Sequence, residues 1–315
     1  MPAITLADVR AAADRIRPYI RRTPVHTSDT MDRLSGRELF FKCENFQKTG
    51  SFKFRGATNA VQKLDDTMRS RGVVTHSSGN HAQALALAAS DGGTTATVVM
   101  PRTAPAVKKQ AVIGYGGRVI DCEPTLADRL RVVNEVAKET GAVLIPPYDH
   151  PDVIAGQGTA ALELLADVEM LDAVVVPVGG GGMLSGYCVA TKGTKPEVKV
   201  FGAEPANADD AARSMAAGEP QPPVPPNSIA DGLLTGLGEL TWPIIREHVS
   251  HVFTVTEAEI VSAMRLVWER MKLVIEPSAA VGVAVVLGEA FKAMNARRVG
   301  VVLCGGNVSL DKLYW

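Results

Sequence analysis

Aromatic residues make up only 5% of this 315-residue chain, so bases would find few rings to stack on. An excess of one charge is also missing. Lys and Arg number 33 against 34 Asp and Glu, for a formal net charge of -1. Nucleic-acid binding needs a net basic face, and no like-charge run supplies one. Cysteine is sparse. Cys43, Cys122, Cys188 and Cys304 are far apart, with no C-x-x-C pair and no His at zinc-finger spacing. A chain of this length builds its own core without disulfide staples, so reduced thiols in a cytoplasmic protein are expected. No run of about 18 apolar residues exists, so no membrane span is expected. The first 22 residues mix Asp8 and Asp14 with arginines and lack an apolar core, so they do not read as a signal peptide.

What is present is globular. Hydrophobic residues are 46% and charged residues 21%, proportions that exclude a disordered or fibrous chain. At about 150 residues per domain, two domains are expected. Residues 6–20 read as an amphipathic helix and 39–42 as a strand. Residues 51–64 read as a helix with Ser51 as its cap. Strands at 73–76, 96–100, 118–122 and 143–145 then alternate with helices at 80–90, 104–114 and 125–140. That alternation predicts a parallel sheet covered on both faces. Residues 72–150 are therefore expected to form a small mobile domain, inserted into a large one made of 1–71 and 151–315. Beyond Pro151, helices are expected at 158–165, 182–192, 257–271 and 277–286. Strands are expected at 173–178, 199–203 and 298–303, and an irregular Pro-rich loop at 219–227.

Four segments carry chemistry. In the first, a buried strand runs into Gly179-Gly180-Gly181-Gly182-Met183 and then a helix. Glycines let the backbone approach an anion, and helix-terminal N–H groups supply donors, so a phosphate is the natural guest. A dinucleotide is one candidate, because Gly180-x-Gly182 ends a strand and Glu204 closes the next one. Ser185 stands where the third glycine of that fingerprint belongs, so the match is partial. The second segment is Ser51-Phe52-Lys53-Phe54-Arg55-Gly56, which puts Lys53 at a helix start between phenylalanines. Apolar surroundings and the positive helix end disfavour the ammonium form and make the amine nucleophilic. The third is Thr75-His76-Ser77-Ser78-Gly79-Asn80-His81-Ala82-Gln83, whose hydroxyls and N–H groups suit a carboxylate. Its plainer reading is a helix cap at Ser77 or Ser78. The fourth is Leu303-Cys304-Gly305-Gly306-Asn307, a strand ending in a glycine turn.

Together these segments resemble the fold-type II pyridoxal-phosphate (PLP) enzymes, in the branch of serine racemases and threonine or serine dehydratases. The likeness runs from about Thr23 to Asn307. It implies the tryptophan-synthase-β-like α/β fold: two open, twisted, mainly parallel sheets with helices on both faces. It also implies a homodimer that uses PLP. Lys53 would carry PLP as a Schiff base, with Phe52 near the ring and Asn80 on its 3-hydroxyl. Gly179, Gly180, Gly181, Gly182 and Met183 would cradle the phosphate, and Cys304 would face the ring nitrogen. Ser77, Ser78, Gly79, Asn80 and His81 would bind the substrate carboxylate, with Arg129 closing on it. Ser78 matches the second-face acid/base of serine racemases. Glu204, Ala208 and Asp210 match a divalent-cation site for Mg²⁺ or Ca²⁺, or Mn²⁺. Lys48, Thr49, Gln83, Lys108, Tyr115 and Asn307 match the site where ATP activates animal serine racemases.

Two features depart from those animal enzymes. Tyr148 replaces an Asn near the PLP hydroxyl, and Asp29 replaces a Ser near the nucleotide. An end at Trp315 leaves no expectation of the C-terminal regulatory domain of isoleucine-controlled threonine dehydratases. The resulting expectation is a PLP-dependent dehydratase of serine or threonine, giving a 2-oxo acid and ammonia, with serine racemase activity. A 3-hydroxyaspartate dehydratase is the alternative within the class. From other classes, a nicotinamide-dependent oxidoreductase and a catalytically silent PLP- or nucleotide-binding protein stay open.

Overall fold

The computed structural model describes residues 4–223, 225, 227–311 and 313–315. The chain opens with α1 (Leu6–Ile16), β1 (Val25–His26), α2 (Asp29–Ser35), β2 (Glu38–Cys43), α3 (Lys53–Gln62) and α4 (Asp66–Arg71). An alternating block follows: β3 (Val73–His76), α5 (Asn80–Asp91), β4 (Ala96–Pro101), α6 (Ala106–Gly114), β5 (Arg118–Cys122), α7 (Leu126–Thr140) and β6 (Val143–Leu144). Next come α8 (Pro151–Asp167), β7 (Ala173–Pro177), α9 (Gly182–Thr194), β8 (Lys199–Pro205), α10 (Asp210–Ala217), α11 (Thr241–His248) and β9 (Val249–Val255). The last elements are α12 (Glu257–Leu266), α13 (Pro277–Leu287), α14 (Glu289–Lys292) and β10 (Arg298–Leu303).

The strands form two sheets. The larger has the order β1-β2-β10-β7-β8-β9, and only the β1–β2 pair is antiparallel. The smaller, β5-β4-β3-β6, is wholly parallel. Parallel strands are buried on both faces, which is why β7 reads Ala-Val-Val-Val-Pro and is buried throughout. The apolar helices α9 and α13 cover the larger sheet and share its core. Smaller clusters pack α5, α6 and α7 against the second sheet.

The eight strands expected from the sequence are all present, and β3, β5 and β10 have the expected bounds. Several helix bounds differ. α1 stops at Ile16 because Pro18 cannot donate the next helical bond. α3 begins at Lys53, and Ser51 is not its cap. Ser51 instead pairs with Gly305 across an isolated bridge, and Phe52 occupies the N-cap position without a side-chain bond. α8 begins at Pro151, well before residue 158. Gly156 and Gly158 look like helix breakers but serve close packing, since a Cβ on Gly158 would meet the Gly186 carbonyl oxygen at 2.7 Å. α12 gives way to a π-turn at Val267–Met271, which ends at Lys272 with φ of 59°. β1, α2, α4, α10, α11, β9 and α14 were not expected. They are short, or lie at an edge of the sheet, and their periodicity is weak. In the Pro-rich loop, residues 224 and 226 lie outside the described residues.

A buried ion cluster ties four segments together beneath α3. The Arg55 guanidinium is fully buried and donates to Glu44 from Nε at 2.7 Å and to Glu163 from Nη1 at 2.8 Å. Lys42 Nζ donates to Glu163 Oε2 and to the Thr23 carbonyl, each at 2.7 Å. Two cations meet two carboxylates, so the charges balance without water. Burial works against ionisation of Glu163, yet Arg55 and Lys42 hold its carboxyl below the usual range. Removing one member leaves uncompensated charge in the core. Arg55→Met is expected to lower the unfolding free energy by about 3–5 kcal/mol in urea titration. A loss below about 1 kcal/mol would show that the cluster carries little of the fold's stability.

Candidate active site

The site lies where α3, the end of β10, the glycine loop and the start of α5 meet. Gly50 and Thr49 both take left-handed conformations, with φ of 73° and 60°, and so turn the chain towards β10. Phe52 N–H then donates to the Cys304 carbonyl at 3.1 Å. This places Lys53 beside the last turn of the sheet. Its Nζ donates to the Pro147 carbonyl at 2.6 Å and stands 5.0 Å from the Phe52 ring centroid. Burial lowers the Lys53 pKa from 10.5 to about 8. The shift is in the direction that the sequence reading expects of a nucleophilic amine.

Tyr148, next to Pro147, packs on the glycine loop. A Cβ on Gly180 would fall 2.4 Å from Tyr148 Cδ2, so only glycine fits there. Lys53 and the loop are thus bridged by two consecutive residues. Gly181, at φ of 88°, is the N-cap of α9, and no side chain caps that helix. Its first-turn N–H groups and positive dipole end are available to an anion. Met183 and Cys304 are buried. Burial, with Glu276 behind it, pushes the Cys304 thiol well above its usual range, so it presents a neutral S–H. A glycine cradle, a half-buried amine and a neutral thiol fit a phosphorylated pyridine aldehyde.

The Ser77–His81 segment joins β3 to α5. Gly79 is the helix N-cap, and no side chain caps the helix. The capping reading of Ser77 and Ser78 is therefore set aside. Both hydroxyls are half-buried and stay at the mouth of an uncapped helix. His81 is buried, with Nε2 3.0 Å from the Ile145 carbonyl. Burial, with Lys53 nearby, lowers its pKa to about 3, so the ring is neutral. A neutral ring facing a carbonyl carries its proton on Nε2, which leaves Nδ1 as an acceptor without a partner in the protein. Burial, with Arg129 of α7 nearby, lowers the pKa of His76 at the end of β3, and the buried Nε of Arg129 has no partner among the described residues.

Glu204 is buried, and its two oxygens accept the Ala211 and Ala212 N–H groups, each at 3.0 Å. It is therefore turned to the start of α10 and away from the glycine loop, which removes the ribose partner that the nicotinamide reading needs. Asp210 Oδ2 accepts the Leu237 N–H at 3.2 Å. Burial pushes Glu204 up to about 8 and Asp210 up to about 6, with nearby carboxylates adding to both. Ala208 lies in the turn between them. Among the described residues, no cluster of three or more His, Cys, Asp or Glu side chains assembles there. The donor types are two carboxyls and a carbonyl, the hard oxygen ligands that a divalent cation takes.

The six nucleotide-site residues fall into two groups. Asn307 Nδ2 donates to the Thr49 carbonyl at 2.8 Å, and Lys48 pairs with Asp91 at the end of α5, the helix that carries Gln83. Lys108 pairs instead with Asp231 at 3.0 Å, and Tyr115 packs in the cluster under α6. Sequence reasoning missed Glu276. It is buried, it accepts from Asn80 Nδ2 at 2.8 Å, and burial pushes its carboxyl up to about 8. Its only local signal is the Glu-Pro pair that opens α13, and nothing in that pair points to a partner almost 200 positions away.

Comparison with known proteins fits this site. The family described as "Pyridoxal-phosphate dependent enzyme" matches residues 16–305, and the chain belongs to it. It is 52% identical over 311 residues to the beta-hydroxyaspartate dehydratase of Paracoccus denitrificans, covering 99% of this chain and 98% of that one. The crystal structure of serine racemase from Dictyostelium discoideum superposes with a TM-score of 0.94 at 51% identity, covering 98% of this chain and all of that one. The crystal structure of a threonine deaminase from T.th. superposes with a TM-score of 0.92 at 44% identity, covering 97% of this chain and 99% of that one. The fold and the PLP dependence expected from the sequence are thereby established, and the nicotinamide reading is withdrawn.

The lowered pKa of Lys53 has a measurable consequence. Apo protein mixed with PLP should develop its near-ultraviolet absorbance at a rate that rises with pH through about 8. A midpoint above pH 10 would mean that the amine is solvated like an ordinary lysine.

Proposed function

We propose that this chain catalyses PLP-dependent dehydration of β-hydroxy amino acids to a 2-oxo acid and ammonia, with racemisation as a second outcome. The observation that carries the proposal is the half-buried Lys53 amine, held on the Pro147 carbonyl beside the glycine loop. Lys53 would hold the cofactor, Gly179–Gly182 and Met183 its phosphate, Asn80 its ring hydroxyl and Cys304 its ring nitrogen, with Phe52 beside the ring. When bound, PLP supplies an electron sink for charge developing at the substrate Cα. The neutral thiol of Cys304 leaves that sink mild, which suits rapid loss of a β-hydroxyl.

In this reading the α-carboxylate sits at the uncapped start of α5, on Ser77, Ser78 and the Gly79, Asn80 and His81 N–H groups. This dipole end favours an anion. The substrate amine would displace Lys53 from the cofactor, and the freed Lys53 amine would take the Cα proton from one face. A pKa of about 8 leaves a working share of neutral amine near neutral pH. Loss of the β-hydroxyl, followed by hydrolysis, gives net conversion to a 2-oxo acid and ammonium. Where Ser78 instead returns a proton from the opposite face, the product is the other enantiomer. Residues 72–150 would act as the mobile unit, a role supported by a second sheet built wholly from Val73 to Leu144. The homodimer, the cytoplasmic location and ATP activation extend the proposal on the strength of the resemblance.

Ser78→Ala should cut racemisation by about 10²–10⁴ while dehydration stays within about tenfold, because elimination needs only one proton-transfer face. Equal loss of both activities would assign Ser78 to binding. One observation favours a dicarboxylic substrate such as 3-hydroxyaspartate: the partnerless buried Nε of Arg129, which a second carboxylate would satisfy. A panel of serine, threonine and 3-hydroxyaspartate, scored for 2-oxo acid and enantiomer, decides. On this reading Arg129→Leu depresses turnover of the dicarboxylate more than that of serine.

A divalent cation on Glu204, Asp210 and the Ala208 carbonyl is part of the proposal, supported by the raised carboxyl pKa values. Glu204 titrates at about 8 when folded and near 4.5 when unfolded. The folded state therefore binds the extra proton, and stability falls as pH rises through about 8. Without cation, the melting temperature should drop between about pH 7 and pH 8, and saturating Mg²⁺ should reduce the drop by mass action. A melting curve indifferent to Mg²⁺ at pH 8 would remove the cation from the proposal.

A further inference from the structure

Glu276 occupies the N-cap position of α13, yet its side chain makes no bond to that helix. The carboxylate turns away and meets Asn80, whose Nδ2 lies 2.8 Å from Oε1 and 3.2 Å from Oε2. Gly305 opens the space it needs, since a Cβ there would stand 2.6 Å from Oε1. At its other end, Asn80 Oδ1 accepts from Asn307 Nδ2 at 2.8 Å, and the same nitrogen donates to the Thr49 carbonyl. Flipping the Asn80 amide would set its NH₂ against that of Asn307, a repulsive contact, because the Thr49 carbonyl fixes the Asn307 amide; the flipped oxygen would also face an ionised Glu276 unfavourably. The amide therefore has one orientation. Glu276 uses one N–H and leaves the other uncommitted.

We infer that Glu276 is a positioning residue, which orients the Asn80 amide so that its second N–H is presented to the PLP ring hydroxyl. The inference rests on the proposed placement of Asn80 at that hydroxyl. It also links the two sheets. Asn80 opens α5 on the smaller sheet's side, whereas Glu276, Asn307 and Thr49 belong to segments of the larger one. The charged or titratable groups around Glu276 are Asp231, Lys108, Lys53 and Cys304. The carboxyl keeps a carbonyl oxygen to accept with whether or not it is protonated, so the role needs an acceptor and not a charge.

The test is a mutant cycle on PLP affinity. Holoenzyme is stripped of PLP and titrated with it, and Kd is read from absorbance. Glu276→Leu, with Glu276→Met as a second apolar replacement, should raise Kd about tenfold. Glu276→Gln keeps an acceptor oxygen and should stay within about threefold of wild type. In an Asn80→Ala background the apolar replacement should add less than about twofold, because its intermediary is gone. A merely structural role would persist in that background. Additive losses, no loss, or Gln behaving as poorly as the apolar residues would overturn the inference alone. An Asn80→Ala variant with wild-type Kd would overturn the placement of Asn80, and this inference with it.

Discussion

Two cations on the first turn of α3 share one constraint, burial, and meet it in opposite ways. Arg55 is surrounded by Glu44 and Glu163 and stays charged, its pKa driven up by those carboxylates. Lys53, two residues earlier, has only a carbonyl acceptor, so burial disfavours its charged form and its pKa falls to about 8. The Arg55 cluster fixes α3 against β2 and α8, and through that fixture it fixes where the Lys53 amine stands. A structural charge and a chemical amine are separated by one helical residue. The difference between them is the presence or absence of a carboxylate.

Assembly of the site depends on the crossing of separate segments at strand ends. β7 and β10 are neighbours in the larger sheet, so the glycine loop and Cys304-Gly305-Gly306 emerge side by side. This is the edge at which open α/β sheets bind ligands. Residues 145–150 cross between the sheets and touch nearly everything in the site. The Ile145 carbonyl faces His81, the Pro147 carbonyl faces Lys53, and Tyr148 fills the glycine loop. Asp149 accepts the Glu239 and Leu240 N–H groups ahead of α11. The segment is irregular, and its backbone carbonyls serve as partners for Lys53 and His81.

Contacts between the two sheets converge near the same place. Asn80 meets Glu276 and Asn307, and Lys108 meets Asp231. The first contact is partly buried and the second is more exposed. Exposed ion pairs contribute little and adjust easily. Under the proposed function, residues 72–150 could shift at this rim while the Asn80 contact keeps register.

Local order along the chain was legible in advance where it depended on neighbours in sequence. The alternation from Val73 to Leu144 announced the second sheet, because a buried parallel strand needs an unbroken apolar run and its helix a 3.6-residue period. Four consecutive glycines announced an anion site, because few folds tolerate that loss of side chains without a ligand. Ser51-Phe52-Lys53 marked the amine by its setting. What escaped sequence reading depended on distant residues. Ser51 could not be seen as a bridge partner of Gly305, nor Ser77 as a hydroxyl that accepts the Gly79 N–H ahead of an uncapped helix. Glu204 was open to reading as a ribose ligand until α10 supplied its two N–H donors. Glu276 carried no signal at all until Asn80 was placed against it. Hydrogen-bond partners and pKa shifts come from whatever fills the few ångströms around a buried group. Chain order does not encode that neighbourhood, and only the packed tertiary structure decides it.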